Sequence, residues 1–258
     1  MRRTIATATL ALMMFGALPG PAPAQQQSRP ALSDMTEAER EALRTEIRAY
    51  LLDYPEVIME AINILEARRK MDSQQAEAAL IAANREQLYN DPNSWVSGNP
   101  DGDVTLVEFA DYRCGFCKKA HPEVKELLKR DPNIRLVIKE FPILGPDSVA
   151  AARMAQAALD LDPANFEALN DALMRFEGQL NEAIAYQIAD RVGYDIAALK
   201  ERAASAEIEA RIGDNYALAR AMGLKGTPSF IVGNQIIRGY VPLDRMLAAV
   251  AEARAATN

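Results

Sequence analysis

Two cysteines stand three positions apart, Cys114 and Cys117, in the run Asp111-Tyr112-Arg113-Cys114-Gly115-Phe116-Cys117-Lys118-Lys119, and the chain has no others. A pair at this spacing can hold a metal, brace a fold or carry electrons. Structural zinc is almost always four-coordinate, and the chain adds only one histidine, His121, so a zinc site would have to recruit carboxylates. A cross-link closing so short a loop removes little entropy from the unfolded chain and adds little stability. The residues therefore read as a redox dithiol that forms and opens a Cys114–Cys117 disulfide. The alternative chemistry is Cu(I) held by two thiolates, since that ion favours sulfur, although no methionine or histidine cluster adjoins the pair.

Such a dithiol needs elements to position it. Val104 to Phe109 reads as a buried strand, the cysteines open a helix running through Leu127-Leu128, and Ile134 to Ile138 reads as a second strand. Strand, helix, strand in this order is a βαβ unit with parallel pairing. Turn-rich residues 91–102 mark the entrance to it, and Trp95-Val96 reads as a short edge strand. From Pro146 to Met222 the alanine- and leucine-rich chain predicts four or five helices, broken at Asp162-Pro163, Gly178 and Gly193-Tyr194-Asp195. Ser229 to Val232 and Gln235 to Arg238 flank Gly233-Asn234 as a hairpin, and a final helix begins at Pro242-Leu243 and ends near Ala255.

Ahead of this unit, apolar residues Leu43, Ile47, Tyr50, Tyr54, Ile58, Ala61 and Leu65 recur at steps of three and four, the spacing of one helix face. Asp53-Tyr54-Pro55-Glu56 divides the segment into two helices, because proline disfavours helical geometry in the residue before it yet suits a first turn. Arg2-Arg3, the apolar run Ile5 to Phe15 and Ala22-Pro23-Ala24 have the form of a secretory signal peptide over residues 1–24. Its apolar part is shorter than the roughly 20 residues that span a bilayer. Export places the dithiol in an oxidising compartment, where it can cycle. A net charge of -7 and the absence of a basic stripe exclude a nucleic-acid partner.

A strand, a C-x-x-C opening a helix, a helical insertion, Thr227-Pro228 before a hairpin and a closing helix together resemble the thioredoxin fold in its DsbA-like form. The resemblance covers about Asp103 to the C-terminus. The helical arm is similar to that of the oligomeric ScsC-like branch. The expected fold class is α/β, a thioredoxin fold with a helical insertion at about 146–222 inside residues 91–258, preceded by an α-helical arm over 25–90.

The resemblance implies roles. Cys114 is the nucleophile, favoured as thiolate by the free N–H groups and dipole at a helix start. Cys117 is the less exposed resolving thiol. Glu108 is a buried carboxylate that moves protons to and from the inner cysteine. Pro228 is cis and lies against the disulfide, leaving the Thr227 backbone to pair with an extended client, and Gly115 and Phe116 also face the client. Gly115-Phe116 replaces the Pro-His of the best-known strongly oxidising relative, which predicts a weaker oxidant, and threonine before the proline tilts toward isomerases. His121, about 10 Å along the helix from Cys114, has a surface or packing role, and Pro122 is expected to kink the helix. No cofactor is implied. The implied partners are unfolded or wrongly bridged client proteins in the periplasm, a membrane redox partner, and further copies of the chain in a homodimer or homotrimer formed through residues 33–90; the alternative for the apolar stripe is an arm that packs back onto its own domain in a monomer.

Overall fold

The computed structural model describes residues 35–257. The signal peptide expected over residues 1–24 and the first residues of the expected arm lie outside the described residues. The chain divides into two units, the first ending at Ile62 and the second beginning at Asn63.

The first unit holds α1 (Glu37–Asp53) and the start of α2 (Glu56–Ala83). Thr36 starts α1 with a reciprocal cap: its hydroxyl accepts from the Glu39 N–H, and the Glu39 carboxylate accepts from the Thr36 N–H at 2.7 Å. The helices part at Tyr54-Pro55, as the proline requires. No residue of α1 is buried, and Ile47, Tyr50, Leu52, Tyr54 and Ile58 are all exposed. Among the described residues of this unit nothing covers that apolar stripe.

The second unit is built on a five-stranded sheet of β1 (Trp95–Gly98), β2 (Val104–Ala110), β3 (Ile134–Glu140), β4 (Ser229–Val232) and β5 (Gln235–Arg238), in the order β1-β3-β2-β4-β5. β2 and β3 run parallel, joined by α4 (Gly115–Arg130), and the other neighbours are antiparallel. The central strands are buried almost throughout because both faces are covered. One face packs Leu106, Leu136, Ile138 and Phe230 against α4 and α10 (Leu243–Thr257). The other packs Val107, Phe109, Val137 and Ile231 against Leu218 and Ala219 of α9 (Ala206–Ala221). A two-residue turn joins β4 to β5, with Gly233 at a φ of 55° that the tight hairpin demands.

Ile81 of α2 and Leu88 of α3 (Arg85–Tyr89) are buried in that second cluster. The end of α2 also covers the sheet edge: one Glu77 carboxylate oxygen lies 2.6 Å from Arg238 Nη1 and the other accepts the Ile236 N–H at 3.4 Å. Residues 63–90, which composition groups with the arm, thus lie in the second unit.

The helical insertion comprises α5 (Pro146–Leu161), a 3-10 turn (Pro163–Asn165), α6 (Phe166–Arg175), α7 (Glu182–Val192), α8 (Ile196–Ala203) and α9. Its alanines let helices approach closely around Met154, Phe166, Leu169 and Leu199, and the same core includes Tyr112, Cys114 and Cys117. Among the described residues no helix is long and apolar enough to cross a membrane.

Candidate redox site

The parallel pairing of β2 and β3 delivers Asp111, Tyr112 and Arg113 to the start of α4. Cys114 is the N-cap of that helix, with extended backbone angles of -74° and 117°. An N-cap side chain is placed where it can accept from the second and third N–H groups of the helix, here those of Phe116 and Cys117. As a thiol, Cys114 makes no cap bond and donates instead to the Thr227 carbonyl oxygen at 3.2 Å. As an anion it draws on the Cys117 thiol first, then on the Thr227 side chain and the N–H groups of Cys117 and Phe116. Together these outweigh partial burial and lower its pKa to about 5.

Cys117, one turn further in, is fully buried. Its bond to Cys114, its burial and the charge of Glu108 push its thiol well above the usual range, against a smaller opposing effect of the Asp111 N–H. One member of the pair is poised as an anion and the other is held as a proton carrier. Both are free thiols.

Glu108 is 4% exposed, on the β2 face that looks toward α4, beside Ile138 and opposite Phe230. Burial first, and then the negative charge of Cys114, push its carboxyl up to about 8. It lines a cavity of about 330 Å³ shared with His121, Asn170 and Ser97. A carboxyl with a pKa near neutrality, coupled to both sulfurs, can take or return a proton at working pH.

The Thr227-Pro228 peptide bond is cis. It precedes β4, which pairs with β2, and this brings Thr227 to Cys114 across 113 residues. Phe116 projects into solvent, 62% exposed, beside the nucleophile. The flanking bases are engaged elsewhere. Arg113 Nη1 donates to the Leu144 carbonyl at 3.0 Å, Lys118 Nζ donates to the Phe176 carbonyl at 2.6 Å, and Lys119 lies over the Tyr240 ring. His121 Nε2 lies 2.9 Å from Asp171 Oδ1, tying α4 to α6.

Sequence reasoning missed three buried polar groups here. Asp111 gathers four donors, Glu140 is pushed up to about 8 chiefly by burial, and the Tyr112 hydroxyl donates to Glu140 Oε1 at 2.8 Å. Asp111 had a readable signal, since Asp-x-Arg before a helix is an Asx turn. Glu140 had a weaker one, ending β3 as Ala110 ends β2 in the paired register. Among the described residues no group of three or more His, Cys, Asp or Glu is placed to hold a metal ion.

Residues 90–252 match the model of a thioredoxin family, and residues 39–70 match that of the copper resistance protein ScsC N-terminal domain. A thioredoxin-like oxidoreductase from Silicibacter pomeroyi is similar at 45% identity, covering 67% of this chain and 98% of that one, with a TM-score of 0.64. Proteus mirabilis ScsC in a transitional conformation is similar at 28% identity over 88% of this chain and all of that one, also with a TM-score of 0.64. A Na(+)/H(+) antiporter NhaA 1 of Salinispora arenicola is 32% identical over 165 residues, 63% of this chain and 25% of the antiporter. The chain thus spans about a quarter of the length of the curated relatives it matches. The poised sulfur, the cis proline beside it and the βαβ frame that joins them agree with the family match, and the chain belongs to the thioredoxin family of oxidoreductases, with a ScsC-type segment ahead of its thioredoxin-like domain.

Proposed function

We propose that this protein is an exported, periplasmic thiol–disulfide oxidoreductase that exchanges disulfides with client proteins through Cys114. The observation that carries the reading is the placement of the Cys114 sulfur at the N-cap of α4, 3.2 Å from the carbonyl oxygen of Thr227 before the cis Pro228, where the pKa of its thiol is lowered to about 5. Export is supported by the amino-terminal sequence pattern.

In the reduced enzyme the Cys114 thiolate attacks one sulfur of a client disulfide. A mixed disulfide forms and the other client sulfur leaves as thiolate, free to attack elsewhere in the client. Attack on the mixed disulfide by a different client thiolate returns the Cys114 thiolate with the client bridge moved, so no electrons are gained or lost. When rearrangement stalls, Glu108 takes the Cys117 proton and the Cys117 thiolate attacks Cys114. The client leaves with two more electrons and the enzyme carries the Cys114–Cys117 disulfide. Run in reverse, the same steps oxidise a client dithiol and leave the enzyme reduced, to be reoxidised by a membrane redox partner. Thr227 presents backbone for an extended client segment, and Gly115 and Phe116 border it.

The exposed stripe of Ile47, Tyr50, Tyr54 and Ile58 supports a homodimer or homotrimer formed through the arm. Several dithiols would then face one client, which favours isomerase over oxidase activity. The Cu(I) alternative rests on the two sulfurs alone. The test is refolding of scrambled and of reduced ribonuclease. Cys114→Ala is expected to abolish rescue of both, whereas tight stoichiometric Cu(I) binding with no effect on either substrate would establish the metal reading instead.

A further inference from the structure

Asp111 stands between the end of β2 and the dithiol and is 1% exposed. A carboxylate is costly to bury unless donors surround it, and four converge here. Oδ1 accepts the Arg113 N–H at 2.8 Å and the Ser148 hydroxyl at 2.8 Å. Oδ2 accepts the N–H groups of Ile143 at 2.9 Å and Leu144 at 3.1 Å. The main chain of the same residue serves the dithiol: its carbonyl accepts the Cys114 N–H at 3.0 Å, and its N–H favours the Cys117 anion.

One side chain therefore joins the turn that carries the nucleophile, the loop leaving β3, and the first turn of α5. The loop closes back on the turn a second time, because Arg113 Nη1 donates to the Leu144 carbonyl. Leu144 itself is 45% exposed. None of the redox steps described above uses the Asp111 carboxylate.

We propose that Asp111 is a positioning residue of the redox site: its carboxylate holds the Arg113–Cys114 turn in the geometry that aims the first N–H groups of α4 at the Cys114 sulfur. This rests on the reading of Cys114 as nucleophile. A purely electrostatic role would have the opposite sign, because a carboxylate near a sulfur disfavours the thiolate and its removal would favour it. Asp111→Asn separates the two. It keeps the shape, removes the charge, and turns one acceptor atom into a donor, so at least one of the four bonds is lost.

The experiment is ultraviolet titration of the Cys114 thiolate in the reduced full-length mature protein, with Cys117 kept because its thiol is the first stabiliser of the Cys114 anion and itself titrates well above the range read. Asp111→Asn is expected to move the titration upward and to lower the thiolate fraction at pH 5 several-fold. Asp111→Ser restores an uncharged acceptor for the Arg113 N–H and is expected to fall between that variant and the parent. An unchanged or lowered titration in Asp111→Asn overturns the proposal. Should neither neutral variant fold, Ser148→Ala decides, since it removes one donor and no charge: an upward movement supports the proposal and none overturns it. A parent protein whose thiol titrates like free cysteine instead sinks the assignment of the nucleophile, a result distinguishable from either.

Discussion

The sulfur of Cys114 lies 3.2 Å from the carbonyl oxygen of Thr227, although 113 residues separate them. α4 and the approach to β4 converge because β2 pairs with both β3 and β4. The contact places the Cys114 sulfur beside the backbone that precedes the cis Pro228.

Reduced protein is expected to show one thiol titrating at about 5 and a second well above the ordinary range. A thiol depressed from 9.0 to about 5 adds stability that is fully present above 9 and is lost as pH falls through 5. The difference in denaturation midpoint between reduced wild type and Cys114→Ala should therefore grow in favour of wild type as pH rises from 5 to 9. A difference that does not vary with pH would contradict the assignment.

Glu108 has the opposite sign. Its folded pKa of about 8 lies above the ordinary 4.5, so its contribution is fully present below 4.5 and is lost as pH rises toward 8. Glu108→Gln should be more stable than wild type near pH 8, by on the order of 4 kcal/mol, and similar to it near pH 4. Resolution of the mixed disulfide should slow by about a hundredfold, read by mass spectrometry as accumulated client adduct.

Thr227→Val removes a side-chain hydrogen bond to the sulfur and leaves the carbonyl in place. A bond to a charged group is worth about 1.5–3 kcal/mol, so the thiolate fraction at pH 5 should drop about tenfold. KM for a peptide disulfide should hold while kcat falls. A change confined to KM would point to client binding as the role of that side chain.

Charges on the arm test its partner. Ile47→Asp with Ile58→Asp leaves the second unit untouched and is expected to reduce the sedimenting mass to that of one chain. Rescue of scrambled ribonuclease should be lost with it, while oxidation of reduced ribonuclease persists.

His121 and Glu108 show where reading residues in order succeeds and where it stops. Helical rise alone set His121 away from Cys114, and its ring pairs with Asp171 instead. For Glu108 the strand pattern could name the residue but not its environment, since burial comes from α4 above it and Phe230 across from it.

The sequence by itself determined the dithiol, the Thr-Pro pair, the order of strands and helices, and the break at Tyr54-Pro55, because each depends on residue types within a few positions of one another. Only the tertiary structure decided that Asp111 joins Arg113 to Ile143, Leu144 and Ser148, that Tyr112 pairs with Glu140, and that Ile81 and Leu88 belong to the sheet's core. Desolvation and hydrogen bonding are set by groups brought together from distant parts of the chain, and no local pattern records which groups those are.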